Sequence, residues 1–282
     1  MLGWSRATHL IETHFATGQC DHVLILNLEF NRSAAMGIAS GQQGGEGCYQ
    51  LRSLDELRWG VWTCTVGEAG TSTLLSAHEE TNPWFFTFHN AADFYKYCGY
   101  TLSNHRDYDY VPNLLENSIG GSERFYAFAK EIGHSIFRYF METLSKAEVR
   151  LLLGESKVVI PHSVSIAPYQ KLFREFDADK KARYSVAEHG NTVSCGVPLA
   201  LSKSIAVGEV KRGDRAMLTP SGSGPPTVSF RFSTDRGLGA ERSRCMKANA
   251  EFDIILFGAT GFTGQLVAEY FATHNRSDDQ LR

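Results

Sequence analysis

"KVVIPHSVSIAPYQKLFREF" (residues 157–176) places a short apolar run, Val158 to Ile160, against Pro161, and a helical pattern follows within a few residues. The run reads as a strand and "APYQKLFREF" (167–176) as a helix. The alternation continues downstream. "NTVSCGVPLALSKSI" (191–205) reads as a helix, and "RAMLTP" (215–220) and "TVSFRF" (227–232) read as strands. Strands separated by helices imply layered α/β architecture. His162 stands where the strand ends and the helix is about to begin, and ligands of layered α/β folds gather at the carboxyl ends of strands. A histidine there could equally cap or pack a helix.

Upstream, residues 3–17 put Trp4, Leu10, Ile11 and Phe15 near one helical face, with Gly18 closing the helix. "HVLILNLEF" (22–30) reads as a buried strand. "GQQGGEG" (41–47) is a linker loop, since no Lys-Ser or Lys-Thr follows to make a phosphate cradle. Residues 59–77 read as β-rich, broken at Gly67 and Gly70. Over 122–143, Phe125, Phe128, Ile132, Ile136 and Phe140 recur at spacings of three and four, which predicts a helix packed on a sheet rather than a binding stripe. "SKAE" (145–148) has the form of a capping box opening another helix.

The chain has 282 residues, of which 43% are hydrophobic and 21% charged, enough apolar side chain for a sizeable core. A formal charge of −3 gives no case for bulk nucleic-acid binding. No apolar run reaches the length of a membrane span, and the first fifteen residues read as an amphipathic helix, not a signal peptide. The six cysteines, Cys20, Cys48, Cys64, Cys98, Cys195 and Cys245, form no C-x-x-C pair and have no metal-ligand spacing. They read as reduced thiols of a cytoplasmic protein, which makes the N-x-S matches at Asn31 and Asn275 fortuitous.

A second candidate stands in "EHGNTVSCGVPLAL" (188–201). Asn191 follows Gly190 and enters a helix, where an N-cap is the commonest duty of an asparagine. His189 is less informative, and Pro198 is expected to distort the helix. Together, a histidine and an asparagine can donate hydrogen bonds to one carbonyl oxygen. Such donors stabilise an enolate or oxyanion by about 3 kcal/mol each, which suits decarboxylation of a malonyl thioester.

"IPHSVS" (160–165), followed by "HGNTVSCGVPLALSKSIAVGEVKRGDRAMLTPSGSG" (189–224), resembles the C-terminal half of 3-oxoacyl-ACP synthase III, a thiolase-like condensing enzyme. The resemblance extends upstream through "THFATGQCDHVLILNLEF" and "TCTVGEAGTSTLL", the latter with Glu68 where the family has aspartate, and covers residues 1–233. It implies a Cys-His-Asn catalytic set, in which His162 and Asn191 match the last two members. It also implies acyl-CoA or acyl-ACP thioester substrates, an acyl carrier protein as partner, a homodimer, and no cofactor for acyl transfer. Met1 falls where the family has its cysteine, so the resemblance implies an N-terminally truncated chain without its nucleophile. Ser163, Val164 and Ser165 replace the family's Gln-Ala-Asn, and Pro225 and Pro226 stand where it prefers glycine and an aromatic. Cys195, four residues beyond Asn191, reads as a buried structural thiol, and Cys20 and Cys64 make no better nucleophiles.

Near the C-terminus, "FDIILFGATGFTGQLVAEYF" (252–271) reads as strand, glycine turn and helix. Gly258, Gly261 and Gly264 fit a dinucleotide-binding turn, in which helix N-terminal N–H groups meet a pyrophosphate. The stretch is similar to the start of saccharopine dehydrogenase-like proteins, which implies NAD(P) as its cofactor were the domain complete. Asp278 and Asp279 lie in a polar tail with no strand around them and are not assigned to the ribose. The expected organisation is therefore a partial N-terminal thiolase-like half (1–120), a C-terminal half (121–233), a linker (234–250) and the start of a Rossmann-type unit (251–282). The expected function is acyl-thioester condensation or acyl transfer in fatty-acid or polyketide synthesis. The alternative is a non-catalytic thiolase-fold pseudoenzyme or fragment joined to the start of an oxidoreductase.

Overall fold

The computed structural model describes residues 3–29, 54–77, 84–88, 97–100, 125–162, 164–211, 213–222 and 228–233. The loop at 41–47, Cys48 and Cys245, the linker, and Gly258, Gly261 and Gly264 lie outside them.

The sheet at the centre has four strands. Three are β6 (Val158–Pro161), β7 (Arg215–Thr219) and β8 (Val228–Ser233), and the fourth is the short β3 (Phe85–Phe88). Their order is β3-β8-β7-β6, with β6 parallel to β7 and the other pairs antiparallel. Period-two alternation sends Val158, Ile160, Ala216 and Leu218 to one face and Val159 and Met217 to the other. All six are essentially sealed from solvent, so β6 and β7 are covered on both sides.

On the first face pack α1 (Gly3–Ala16) and α7 (Gly196–Ala206), which bring Trp4, Ala7, Ile11, Val197, Ala200 and Leu201. On the second pack α3 (Ala129–Leu144), α4 (Ala147–Glu155) and α5 (Ile166–Arg174), with Phe140, Leu144, Val149, Leu153, Leu172 and Phe173. Burying each such large side chain stabilises the fold by roughly 1.5–3 kcal/mol. The α/β layering expected from the alternation is thus present.

Several local expectations change. In α1, Trp4 and Ile11 are buried, but Leu10 is exposed. The helix does end at Gly18, whose φ is +66°. The strand β1 (His22–Glu29) pairs antiparallel with β2 (Ala69–Ser76) and is not buried throughout. Only Ile25 is sealed; Leu24, Leu26, Leu28 and the cross-strand Leu74 face outward. The segment read as β-rich is helical at its start. A short α2 (Leu54–Gly60) leads into a 3-10 turn, Val61–Thr65, before β2. Phe125 lies in β5 (Phe125–Ala127), paired with β4 (Cys98–Tyr100), and α3 begins only after Phe128. No side chain caps α4, because Ser145 closes α3 and Lys146 takes the N-cap position. Pro198 is the third residue of α7, in the first turn, where no backbone N–H is needed, so it does not break the helix.

Candidate functional site

His162 leaves the carboxyl end of β6 still tied to the sheet, its backbone N–H donating to Thr219 O at 3.2 Å. The residue is 5% exposed. Burial pushes its pKa down to about 4, while a backbone group of Val193 works in the opposite direction. A backbone group that favours the protonated ring must be an acceptor, so it is the Val193 carbonyl. Nε2 is buried with no hydrogen-bond partner.

Asn191 is placed by a crossing of two backbones. Its N–H donates to Thr65 O at 2.7 Å, and its carbonyl accepts from Gly67 N–H at 2.9 Å, within a parallel bridge between Val66 and Asn191. Two glycines allow this approach. A Cβ on Gly67 would lie 1.8 Å from His189 O. Gly190 has φ +67°, and a Cβ there would lie 2.7 Å from Thr65 O. The Asn191 side-chain oxygen accepts from Val193 N–H at 3.1 Å. This is a local turn and not the expected helix N-cap, because a 3-10 turn, Val193–Cys195, intervenes and the helix begins only at Gly196; it leaves the amide nitrogen available as a donor. Val193, which meets both side chains, has φ +47°, a strained value for a β-branched residue.

His162 and Asn191 line one cavity of about 240 Å³. The rest of its wall is mostly apolar: Trp62 from the 3-10 turn, Ile132, Ile136 and Phe137 from α3, and Leu172 from α5. The α3 stripe, expected to be packing alone, thus splits its duty. Phe140 fills the core, while Ile132 and Ile136 face the cavity. Tyr169 and Ser221 also reach the wall, joined by a buried Oη···Oγ hydrogen bond of 3.1 Å that ties α5 to the loop after β7. Burial raises the Tyr169 pKa to about 12, so it stays protonated.

Sequence reasoning missed Trp62, Tyr169, Ser221 and Cys98 as wall residues. The three-four spacing of Ile132 and Ile136 was the only available signal for the wall. His189 ends the one-turn helix α6 (Val186–His189), is exposed and lies beside Glu188. Cys195 is fully buried, its thiol directed at Asn27 O and Ala69 O, each 3.3 Å away. Burial pushes its pKa up to about 11, in keeping with a structural thiol. Cys20 is likewise raised, by burial and then by Asp21. Among the described residues no cluster of His, Cys, Asp or Glu could hold a metal ion, and no helix is long and apolar enough to cross a membrane.

Residues 147–229 match the family model for the C-terminal part of 3-oxoacyl-[acyl-carrier-protein] synthase III. The Aquifex aeolicus beta-ketoacyl-[acyl-carrier-protein] synthase III is 34% identical over 84 residues, covering 29% of this chain and 26% of that protein. The Dinoroseobacter shibae synthase III is 30% identical over 127 residues, covering 43% and 38%. Among solved structures, Xanthomonas campestris OleA with bound lauric acid and lauroyl-CoA superposes at a TM-score of 0.61 with 18% identity, over 80% of this chain and 62% of that one. The FabH synthase III of Pseudomonas aeruginosa superposes at 0.58 with 14% identity, over 79% and 61%. The matches therefore span less than two thirds of the length of these proteins.

Proposed function

A thiolase-like fold, carrying a synthase III C-terminal region in residues 147–229, is the premise from which we propose that this chain acts on acyl thioesters. In this reading His162 and Asn191 stabilise the enolate or oxyanion formed at the thioester carbonyl, as in condensation with a malonyl thioester or acyl transfer. The observation that carries it is the shared, mostly apolar cavity lined by both His162 and Asn191, with the Asn191 side-chain oxygen engaged and its amide nitrogen left as a donor. The Asn191 amide donates in every state. His162, neutral near pH 7 because burial lowers its pKa to about 4, can act as base and, once protonated, hold negative charge on oxygen. Acyl transfer of this kind needs no cofactor. The acyl donor is an acyl-CoA or acyl-ACP, and the chain works as a homodimer, a state supported by the outward leucines of β1 and β2.

The test is malonyl-thioester turnover by the purified chain, read as carbon dioxide release and as condensation product. His162→Ala and Asn191→Ala are each expected to lower release about 100-fold; turnover unchanged in both refutes the assignment. A non-catalytic subunit is the second reading, favoured by the raised pKa of Cys20 and Cys195. It predicts no release from any version of the chain.

A further inference from the structure

The cavity has a buried end and an open end. His162, Asn191, Tyr169 and Leu172 line it and are all buried. Gly133 and Phe137 of α3 and Pro168 of α5 line it too, and all three are exposed. The mouth therefore lies between these two helices. Gly133 and Phe137 stand four residues apart, neighbours on one face of α3.

Gly133 is the fifth of the 16 residues of α3. After proline, glycine is the residue that a helix interior favours least. Packing does not require one here, since a Cβ at this position would have nothing within 4 Å. The backbone does not require one either, because its φ is not positive. The glycine therefore weakens its helix without relieving any contact, and what it leaves is open space at the mouth of the cavity.

We propose that Gly133 is the access-determining residue of this cavity, its missing side chain keeping the mouth open to the carrier arm of an acyl thioester. The charged end of the carrier stays in water, because an apolar chamber offers its phosphates no partner. The thioester carbonyl must reach His162 and Asn191 at the buried end, so the arm crosses the mouth for as long as the ligand is bound. A side chain at position 133 would stand in that path. The inference rests on the reading that the cavity takes acyl thioesters, and it names the residue that controls their entry.

The test is binding of lauroyl-CoA and acetyl-CoA to the full chain, read by calorimetry and stopped flow. Gly133→Leu is expected to weaken both ligands by the same factor, at least tenfold, and to slow their association, with a urea midpoint no lower than that of the unsubstituted chain. Gly154→Leu is the matched control. Gly154 stands in the last turn of α4, a Cβ there also meets nothing within 4 Å, and it lies off the cavity wall. Its affinities should be unchanged. Unchanged affinity in Gly133→Leu, an equal loss in Gly154→Leu, or a loss confined to lauroyl-CoA would overturn the proposal. Gly133→Ala gives the answer even if the leucine variant fails to fold. It should raise the urea midpoint and slow association of both ligands; a lowered midpoint, or association as fast as before, would overturn the proposal. An unsubstituted chain that binds neither ligand sinks the acyl-thioester reading together with this one, whereas binding that Gly133→Leu leaves intact sinks this one alone.

Discussion

Val193 stands between the two candidate groups, its N–H donating to the Asn191 oxygen and its backbone raising the His162 pKa against burial. Its φ of +47° costs about 1–3 kcal/mol for a β-branched side chain. Asparagine tolerates this region better, so Val193→Asn is expected to raise the urea midpoint; a lower midpoint would deny that strain is stored here. His162 gives a second prediction. Its folded pKa of about 4 lies below the unfolded value near 6.5. Above pH 6.5 it is neutral in both states and contributes no pH dependence. As pH falls toward 4, only the unfolded chain takes the proton, so stability drops by roughly 3 kcal/mol across that window. In His162→Gln, the slope of stability against pH between 6.5 and 4 should flatten; an unchanged slope would place the titration elsewhere. His162 and Asn191 were legible in the sequence because a strand end and a Gly-Asn turn are local signals. The Val193 strain was not, because nothing in the residue type of a valine signals a positive φ.

At the scale of elements, α3 was readable as a helix from its periodicity, but periodicity cannot distinguish a neighbouring element from a void. Ile132 and Ile136 look like core residues in sequence and face a cavity in space. Ile132→Trp should fill part of that space and weaken lauroyl-CoA binding more than acetyl-CoA binding, as read by calorimetry; equal losses would put the alkyl chain elsewhere. The 3-10 turn at Val61–Thr65 was misread as strand because its tryptophan, valine and threonines favour strands, and tertiary placement overrode that preference. The crossing of residues 65–67 with 189–191 gives a further expectation. Gly67→Ala drives a methyl into the His189 carbonyl, and unfolding should become easier by at least about 2 kcal/mol. A stability loss below 0.5 kcal/mol would mean the crossing is loose.

Over the whole molecule, two apolar cores lie on opposite faces of one sheet, and their layering followed from the strand–helix alternation. The outward leucines of β1 did not. A run of apolar residues reads alike whether one face or both are covered, and only the pairing with β2 shows Leu24 opposite Leu74. If these leucines form the interface of the proposed homodimer, Leu74→Lys should shift the sedimentation coefficient to that of a monomer. A chain that sediments as a monomer before substitution would refute the dimer.

The strand order also governs when the sheet can be completed. β8 separates β3 from β7, so Phe85–Phe88 have no place in the sheet until Val228–Ser233 arrive. During synthesis, the early strand must therefore wait for more than a hundred later residues to leave the ribosome, its backbone unpaired in this sheet meanwhile. Such distant pairing makes folding slow, and it makes this stretch of nascent chain the one for a chaperone to hold.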